Sequence, residues 1–143
     1  ESLSTQEALG LDYCSDCRGT SPFFTVWGGR RFETLQIPST LPTLDEILGL
    51  DGQSPEEANE VLFNGLREGL NVHTFHAEME GIGQIGLFER FLRGCLARGI
   101  RFATLGEMAK SLDRENVPAC FLEPGEIQGR AGKVALQGKG ILG

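Results

Sequence analysis

The sequence predicts an α/β fold in which parallel strands alternate with helices. The chain has 143 residues, 40% hydrophobic and 23% charged, a composition that is typical of a folded domain and not of a disordered segment. Short apolar runs alternate with helix-spaced apolar stripes, in the order strand, strand, helix, helix, strand, helix, strand, helix. Alternation of this kind indicates parallel β-α units.

The first forty residues are predicted to contain a helix end and two strands. Residues 5–9 are followed by Gly10, which is typical of a helix C-terminus. Residues 11–15 and residues 34–38 are short candidate strands, and the second ends at a proline. Between them, the stretch that begins at Phe23 and ends at Arg31 is aromatic, then glycine-rich, then basic. This loop either contacts a lipid surface or folds over an open sheet edge.

Helix starts are marked by capping boxes, in which Ser or Thr is followed three residues later by Glu. They occur at Thr43, Ser54 and Thr104. The strongest helix pattern spans residues 83–98, where the apolar residues share one face and Gly99 follows the last turn.

Two further strands are predicted, over residues 70–76 and residues 100–103. After Pro118 the chain is rich in glycine and has little apolar periodicity, so it is expected to be irregular. The predicted organisation is one domain over residues 1–116 followed by a tail over residues 117–143.

Charge and composition exclude several function classes. The net charge is −7, which argues against binding to nucleic-acid phosphates, so no nucleic-acid partner is expected. No apolar run approaches the roughly 18 residues that a spanning helix needs. The chain begins at Glu1 and its methionines lie at positions 79 and 108, so we expect a processed or truncated start.

Parallel sheets collect their functional groups at the carboxyl ends of their strands. Those ends are predicted near Asp16, Thr40, His76 and Thr104. His76 closes the strongest strand candidate and is a candidate general acid or base near neutral pH. Asp16 is a candidate to orient it. His73 falls on the opposite strand face and is expected to pack under a helix.

Three other patterns are open to more than one interpretation. Arg18 is either a phosphate or carboxylate contact or part of a surface ion pair. Cys14 and Cys17 form a CxxC pair without the second pair that a zinc site needs. Residues 81–86 match the dinucleotide pattern G-x-G-x-x-G, but the ribose-binding acid after the next strand is missing. A dinucleotide-binding domain is therefore the weaker alternative.

Several separated motifs carry a family resemblance. Residues 13–19 (YCSDCRG), 36–46 (QIPSTLPTLDE) and 72–81 (VHTFHAEMEG) occur in this order, and residues 125–132 (GEIQGRAG) follow. Together they resemble the carboxyl-terminal half of polysaccharide deacetylases (the NodB-homology family). Within that family they are most similar to the branch of 4-deoxy-4-formamido-L-arabinose-phosphoundecaprenol deformylases.

The resemblance implies the carboxyl-terminal part of a distorted, incomplete (β/α) barrel and a metal-dependent amide hydrolase, a deformylase or deacetylase acting on an amino sugar. A divalent, zinc-like metal polarises the acyl carbonyl and activates water in such enzymes. His76 matches the histidine that protonates the leaving amine, and Asp16 matches the acid that tunes it. Glu78 and Glu80 match a Glu-x-Glu of this branch, with contact to the nascent amine as their hypothetical role.

The family's base and metal ligands belong to its amino-terminal half, so no metal ligand is assigned to this chain, and the chain alone is expected to be inactive. Arg18 and Thr40 join the candidate substrate contacts. The implied partners are the missing amino-terminal half and a polyprenyl-phosphate-linked amino sugar of lipid A or cell-envelope modification. The implied location is bacterial, in the cytoplasm or at the inner membrane surface. A non-catalytic carbohydrate- or lipid-binding module of the same fold remains the other interpretation.

Overall fold

A computed structural model describes residues 2–48 and 54–141. The described residues within 1–40, 103–125 and 133–143 form one compact unit, and those within 41–102 and 126–132 form another. The chain is α/β, as predicted.

The first unit is built on a five-stranded sheet. Its strands are β1 (Tyr13–Cys14), β2 (Phe23–Trp27), β3 (Arg30–Gln36), β4 (Ala119–Glu126) and β5 (Lys133–Gly140), in the spatial order β1-β3-β2-β4-β5. The helices α1 (Ser2–Ala8) and α5 (Leu105–Ser111) belong to the same unit. Its buried centre contains Cys17, Phe23 and Cys120.

The sheet is mixed, whereas parallel strands were predicted. β1 pairs with β3 and β2 with β4 in parallel, but β2 and β3 form an antiparallel hairpin. The reason lies at Gly28 and Gly29, which have φ values of +59° and +76° between the paired Trp27 and Arg30. A two-residue turn with positive φ at both positions is the preferred hairpin connection.

The second unit is helical. It contains α2 (Leu44–Leu48), α3 (Pro55–Gly65), a π-helical turn (Met79–Gly83) and α4 (Ile85–Ala97). Ser54 caps α3 with the predicted capping box, and α4 ends before Gly99 with its φ of +75°. Its core is apolar and comprises Leu41, Leu44, Ile47, Ala58, Leu62, Leu87, Phe91 and Cys95.

Two predicted strands are wrong. Residues 70–76 and residues 100–103 have no strand assignment. The segment 70–76 is tied to the preceding chain by a backbone bond from Leu41 N to Val72 O, 3.1 Å long. A run of apolar and β-branched residues favours an extended backbone, but a strand also needs a ladder of bonds to a neighbour.

The tail also differs from the expectation, because β4 and β5 replace the irregular structure expected after Pro118. β4 pairs in parallel with β2 from Phe24↔Ala119 to Val26↔Phe121. Strand β4 is difficult to predict from the sequence, because it contains Pro124 and Gly125 and is only partly buried. The division at residue 116 stays a prediction. None of the helices in the part of the chain that the structure describes is long and apolar enough to cross a membrane.

Candidate active site

His76 is the last residue of the segment 70–76 and lies shortly before the π-helical turn. Its carbonyl oxygen accepts hydrogen bonds from the backbone of Met79 and of Glu80, each 3.0 Å long. Its backbone N–H donates to Oε2 of Glu80 over 2.8 Å. The Glu80 side chain therefore turns back on the chain and fixes the backbone of His76, much as a capping carboxylate fixes the start of a helix.

The imidazole of His76 faces a second carboxylate. Its Nδ1 lies 3.7 Å from Oδ1 of Asp45, and the two side chains are 41% and 45% exposed. This distance suits an ion pair but exceeds that of a direct hydrogen bond. Nδ1 itself is buried although the ring is partly exposed. The solvent-facing part of the ring is therefore away from Nδ1.

Asp45 is placed by the first turn of α2. The backbone N–H of Thr43 donates to Oε2 of Glu46 over 3.0 Å, which is the N-terminal half of the predicted capping box. Partial burial alone would raise the pKa of Asp45. The neighbouring Thr43 hydroxyl, the charges of His76 and Arg130 and its own backbone outweigh burial and lower that pKa. Asp45 is therefore a carboxylate at neutral pH.

A partly buried ion pair links α2 to residues 126–132 of the same unit. Glu46 is 2% exposed, and Nη1 of Arg130 lies 3.3 Å from its Oε1. Gly129 has φ +81°, and a Cβ there would collide with the carbonyl oxygen of Glu46. Only glycine fits this approach without strain. The resembling tail motif thus contributes to the surroundings of Asp45.

The predicted site residues divide between the two units. His76, Glu78 and Glu80 lie in the second unit, whereas Asp16, Arg18 and Thr40 lie in the first. The two carboxylates next to His76 are those of Glu80 and Asp45. The sequence analysis named Glu80 as a candidate substrate contact, and it did not name Asp45. Asp45 carried a signal, because it lies inside the resembling segment 36–46, but it was interpreted only as part of a helix start.

Within the first unit, Asp16 is exposed and accepts a hydrogen bond from Nε2 of Gln6 over 2.6 Å. The backbone of Arg18 bonds to Ala135 and Gln137 of β5, which fixes the chain after the CxxC segment. Thr40 is partly buried. The assignment of Asp16 to orient His76, and of Arg18 and Thr40 to contact substrate, stays a prediction.

Glu78 and Glu80 have different environments despite their spacing. Glu78 is exposed, whereas Glu80 is 2% exposed and is occupied with the backbone of His76. Direct contact with a substrate amine is thus available to Glu78 in this structure. For Glu80, the observed role is to hold His76.

The described residues do not fit a catalytic metal. Across residues 2–48 and 54–141, no three His, Cys, Asp or Glu side chains group in a way that could hold a metal ion. Cys14 and Cys17 are free thiols. Burial, then the negative charge of Asp16 and that of Cys14 once it is ionised, raise the pKa of Cys17 to about 12. This disfavours the thiolate that a metal or redox site requires.

The glycine pattern over residues 81–86 lacks the context of a dinucleotide site. Gly81 and Gly83 lie in the π-helical turn, and Gly86 lies in α4. The preceding residues 70–76 have no strand assignment, whereas the dinucleotide motif needs a strand that turns tightly into its helix. His73 contacts the ring of Phe91 edge-on, 5.5 Å between centroids, which confirms its predicted packing role.

The aromatic and basic stretch is the β2–β3 hairpin. Phe23, Phe24 and Val26 are buried in it, so these side chains are not available to a lipid surface. Trp27 at the tip is 54% exposed, and Arg30 forms an ion pair with Glu7. Contact between this tip and a membrane stays a prediction.

Comparison with known proteins finds relatives in the branch that the motifs resemble. No family model matches the chain. It is 36% identical over 133 residues to the "Probable 4-deoxy-4-formamido-L-arabinose-phosphoundecaprenol deformylase ArnD" of Wigglesworthia glossinidia brevipalpis, covering 92% of this chain and 46% of that protein. It is also 36% identical over 138 residues to the protein of the same name from Shewanella sediminis (strain HAW-EB3), covering 94% of this chain and 43% of that protein.

The chain thus spans a little under half the length of the curated relatives that it matches. Nearly all of it is matched, and the matches extend over both compact units. The chain belongs to the ArnD-like family that these two relatives represent.

Proposed function

We propose that the polypeptide containing this chain is a deformylase that hydrolyses the formamide of 4-deoxy-4-formamido-L-arabinose linked to phosphoundecaprenol, a step of lipid A modification. The name that both relatives carry supports this substrate. The observation that carries the proposal is His76, a partly exposed imidazole whose backbone is fixed by Glu80 and whose Nδ1 faces Asp45.

Amide hydrolysis explains why a histidine is needed. Water adds its oxygen to the formyl carbon, the C–N bond breaks, and formate and a free amine are released. An amide nitrogen is a poor leaving group until it receives a proton. A histidine titrates near neutral pH and can donate that proton as the bond breaks. We assign this role to His76.

The remaining chemistry is not assigned to the described residues. A divalent metal of the kind that the family resemblance implies would polarise the formyl carbonyl when bound. Because these residues do not fit a metal, we derive no step through one. We propose that the group activating the water comes from the rest of the polypeptide, and that the 143-residue chain alone does not turn over substrate.

The direct test is formate release from the lipid-linked formamido sugar by the complete polypeptide. His76→Ala should lower turnover by about 10²- to 10⁴-fold, the usual contribution of a general acid. His73→Gln is the matched control, because His73 packs against Phe91 and should retain most turnover in a folded protein.

Unchanged turnover in His76→Ala would remove His76 from the reaction. A wild-type protein that binds the lipid-linked sugar but releases no formate would support the non-catalytic binding module instead.

A further inference from the structure

The backbone of His76 is fixed by hydrogen bonds, and one edge of its imidazole ring is buried. Its backbone is fixed at the N–H by Glu80 and at the carbonyl by the π-helical turn. The orientation of the ring decides whether Nδ1 or Nε2 meets a substrate. In the structure Nδ1 is buried against α2, while the side chain as a whole is 41% exposed. The exposed part of the ring is therefore the edge away from Nδ1.

Asp45 is the charged group at the Nδ1 edge. Its Oδ1 lies 3.7 Å from Nδ1, and within the described residues Nδ1 has no hydrogen-bond partner. Catalytic hydrogen bonds are often long in unliganded enzymes and shorten when the substrate binds. A shift of under about 1 Å would bring the two atoms to hydrogen-bond distance.

The two other carboxylates near His76 and Asp45 each have a different partner. Glu80, from the π-helical turn, binds the backbone of His76 and not its ring. Glu46, next to Asp45 on α2, is paired with Arg130. Asp45 thus carries the negative charge that faces the imidazole ring, and the structure gives it no other cation at ion-pair distance among the described residues.

We propose that Asp45 is the positioning residue for His76: its carboxylate takes the Nδ1 edge of the ring and leaves Nε2 as the atom that meets the substrate. The inference rests on the proposed function, in which His76 is the general acid. It differs from the family resemblance, which implies Asp16 for this role. In the proposed reaction, Nδ1–H is held by Asp45 while Nε2 gives its proton to the leaving nitrogen.

The test uses nitrogen-15 NMR of the His76 ring in the complete polypeptide, with His76→Gln to identify its signals. When the ring is neutral, the wild-type protein should carry the ring proton on Nδ1. Asp45→Ala should move the ring toward a mixture of both tautomers. Asp45→Asn, which keeps an oxygen acceptor without the charge, should retain part of the Nδ1–H preference.

Kinetics give the second readout. Asp45→Ala should lower kcat by about 10- to 100-fold, the effect of a misplaced catalytic group, while KM changes by less than about threefold. Glu60→Ala, an exposed acid on α3 of the same unit, is the control for the loss of one negative charge. It should change neither the tautomer nor kcat.

A reciprocal measurement avoids any change in α2. In His76→Gln, the pKa of the Asp45 carboxyl should rise, because the charge of His76 is one of the causes that lower it. An unmoved Asp45 titration would contradict the pairing even if Asp45→Ala failed to fold.

Three outcomes decide the matter. An unchanged tautomer and unchanged kcat in Asp45→Ala would overturn the inference. So would a tautomer change in Asp16→Ala that is absent from Asp45→Ala. A tautomer change in Asp45→Ala together with full turnover in His76→Ala would support the pairing and refute the proposed function, so the two failures are distinguishable.

Discussion

His76 is held by two carboxylates that act on different parts of it. Glu80 binds its backbone N–H over 2.8 Å, and Asp45 lies 3.7 Å from its ring. The contact with Glu80 fixes the position of the His76 backbone. The contact with Asp45 influences which ring nitrogen faces the substrate. Because one contact is to the backbone and the other to the side chain, substitutions can separate them.

Substitutions of Glu80 test the backbone contact. Glu80→Ala removes the acceptor for the His76 N–H, and we expect turnover of the complete polypeptide to fall about tenfold as His76 becomes less well placed. Glu80→Gln keeps an oxygen acceptor and should retain turnover within about threefold. Formate release measures both variants. Equal losses would show that the charge of Glu80 matters, as expected if it contacts the substrate amine.

The pH dependence of stability tests the environment of Cys17. Its pKa in the folded chain is about 12, above the ordinary value of 9.0. Above about pH 9, the unfolded chain loses this proton while the folded chain keeps it, so the stabilisation is complete below pH 9 and is lost as pH rises toward 12. At pH 10 the loss of stability from this one group is about 1.4 kcal/mol.

Urea unfolding of the wild type and of Cys17→Ala at about pH 8 and about pH 10 measures this loss. The difference in the free energy of unfolding between the two proteins should shrink by about 1.4 kcal/mol over this range. A constant difference would show that the Cys17 thiol titrates normally in the folded chain.

Sequence reasoning found His76 but not its carboxylate partner. A histidine at the end of an apolar run, followed by Glu78 and Glu80, is visible within one short segment. Asp45 lies 31 residues before His76 in the sequence. Only the packing of α2 and the segment 70–76 in one unit brings them together, and no local pattern records that packing.

At the scale of single elements, local signals predicted the helices better than the strands. The capping boxes at Ser54 and Thr104 are formed as expected. Helices contain their own hydrogen bonds, so a short segment specifies them, whereas a strand depends on a partner elsewhere in the chain. For this reason residues 70–76 were overpredicted and β4 was missed.

Two glycines of α4 give a matched pair of substitutions. A Cβ at Gly94 would collide with the ring of Phe63, which also packs against Phe91 with centroids 5.2 Å apart. Alanine has a helix propensity about 1 kcal/mol better than glycine, but overpacking costs about 1–3 kcal/mol. We therefore expect Gly94→Ala to lower the free energy of unfolding by about 1 kcal/mol.

Gly86→Ala in the same helix is the control, because the nearest atom to its Cβ would be Nη1 of Arg90 at 3.8 Å. It should be neutral or stabilise by up to about 1 kcal/mol. Urea unfolding compares the two variants. A stabilised Gly94→Ala would show that Phe63 moves aside freely.

At the scale of the whole molecule, sequence order and spatial order differ. Residues 126–132 belong to the second unit although β4 and β5, which flank them, belong almost entirely to the first. The Glu46–Arg130 pair and the close approach of Gly129 to Glu46 fasten this segment to α2. Such long-range connections define the units, and the predicted division at residue 116 could not anticipate them.

Arg130→Met tests this connection. It keeps most of the aliphatic stem but removes the guanidinium from a carboxylate that is 2% exposed. Weakening the partners of a buried charged group should cost about 1–3 kcal/mol of the free energy of unfolding. Arg93→Met removes an exposed helix pair with Glu89 and should cost no more than about 0.5 kcal/mol. Equal costs in urea unfolding would show that the Glu46–Arg130 pair contributes no more to stability than a surface pair.

The central claim is that His76 protonates the leaving nitrogen, and the most direct measurement compares two leaving groups. His76→Ala and wild type are assayed as the complete polypeptide, on the lipid-linked formamide and on 4-nitrophenyl acetate, whose nitrophenolate leaves without a proton. The account predicts a loss of about 10²- to 10⁴-fold on the amide and less than about tenfold on the ester. Equal losses on both substrates would contradict it.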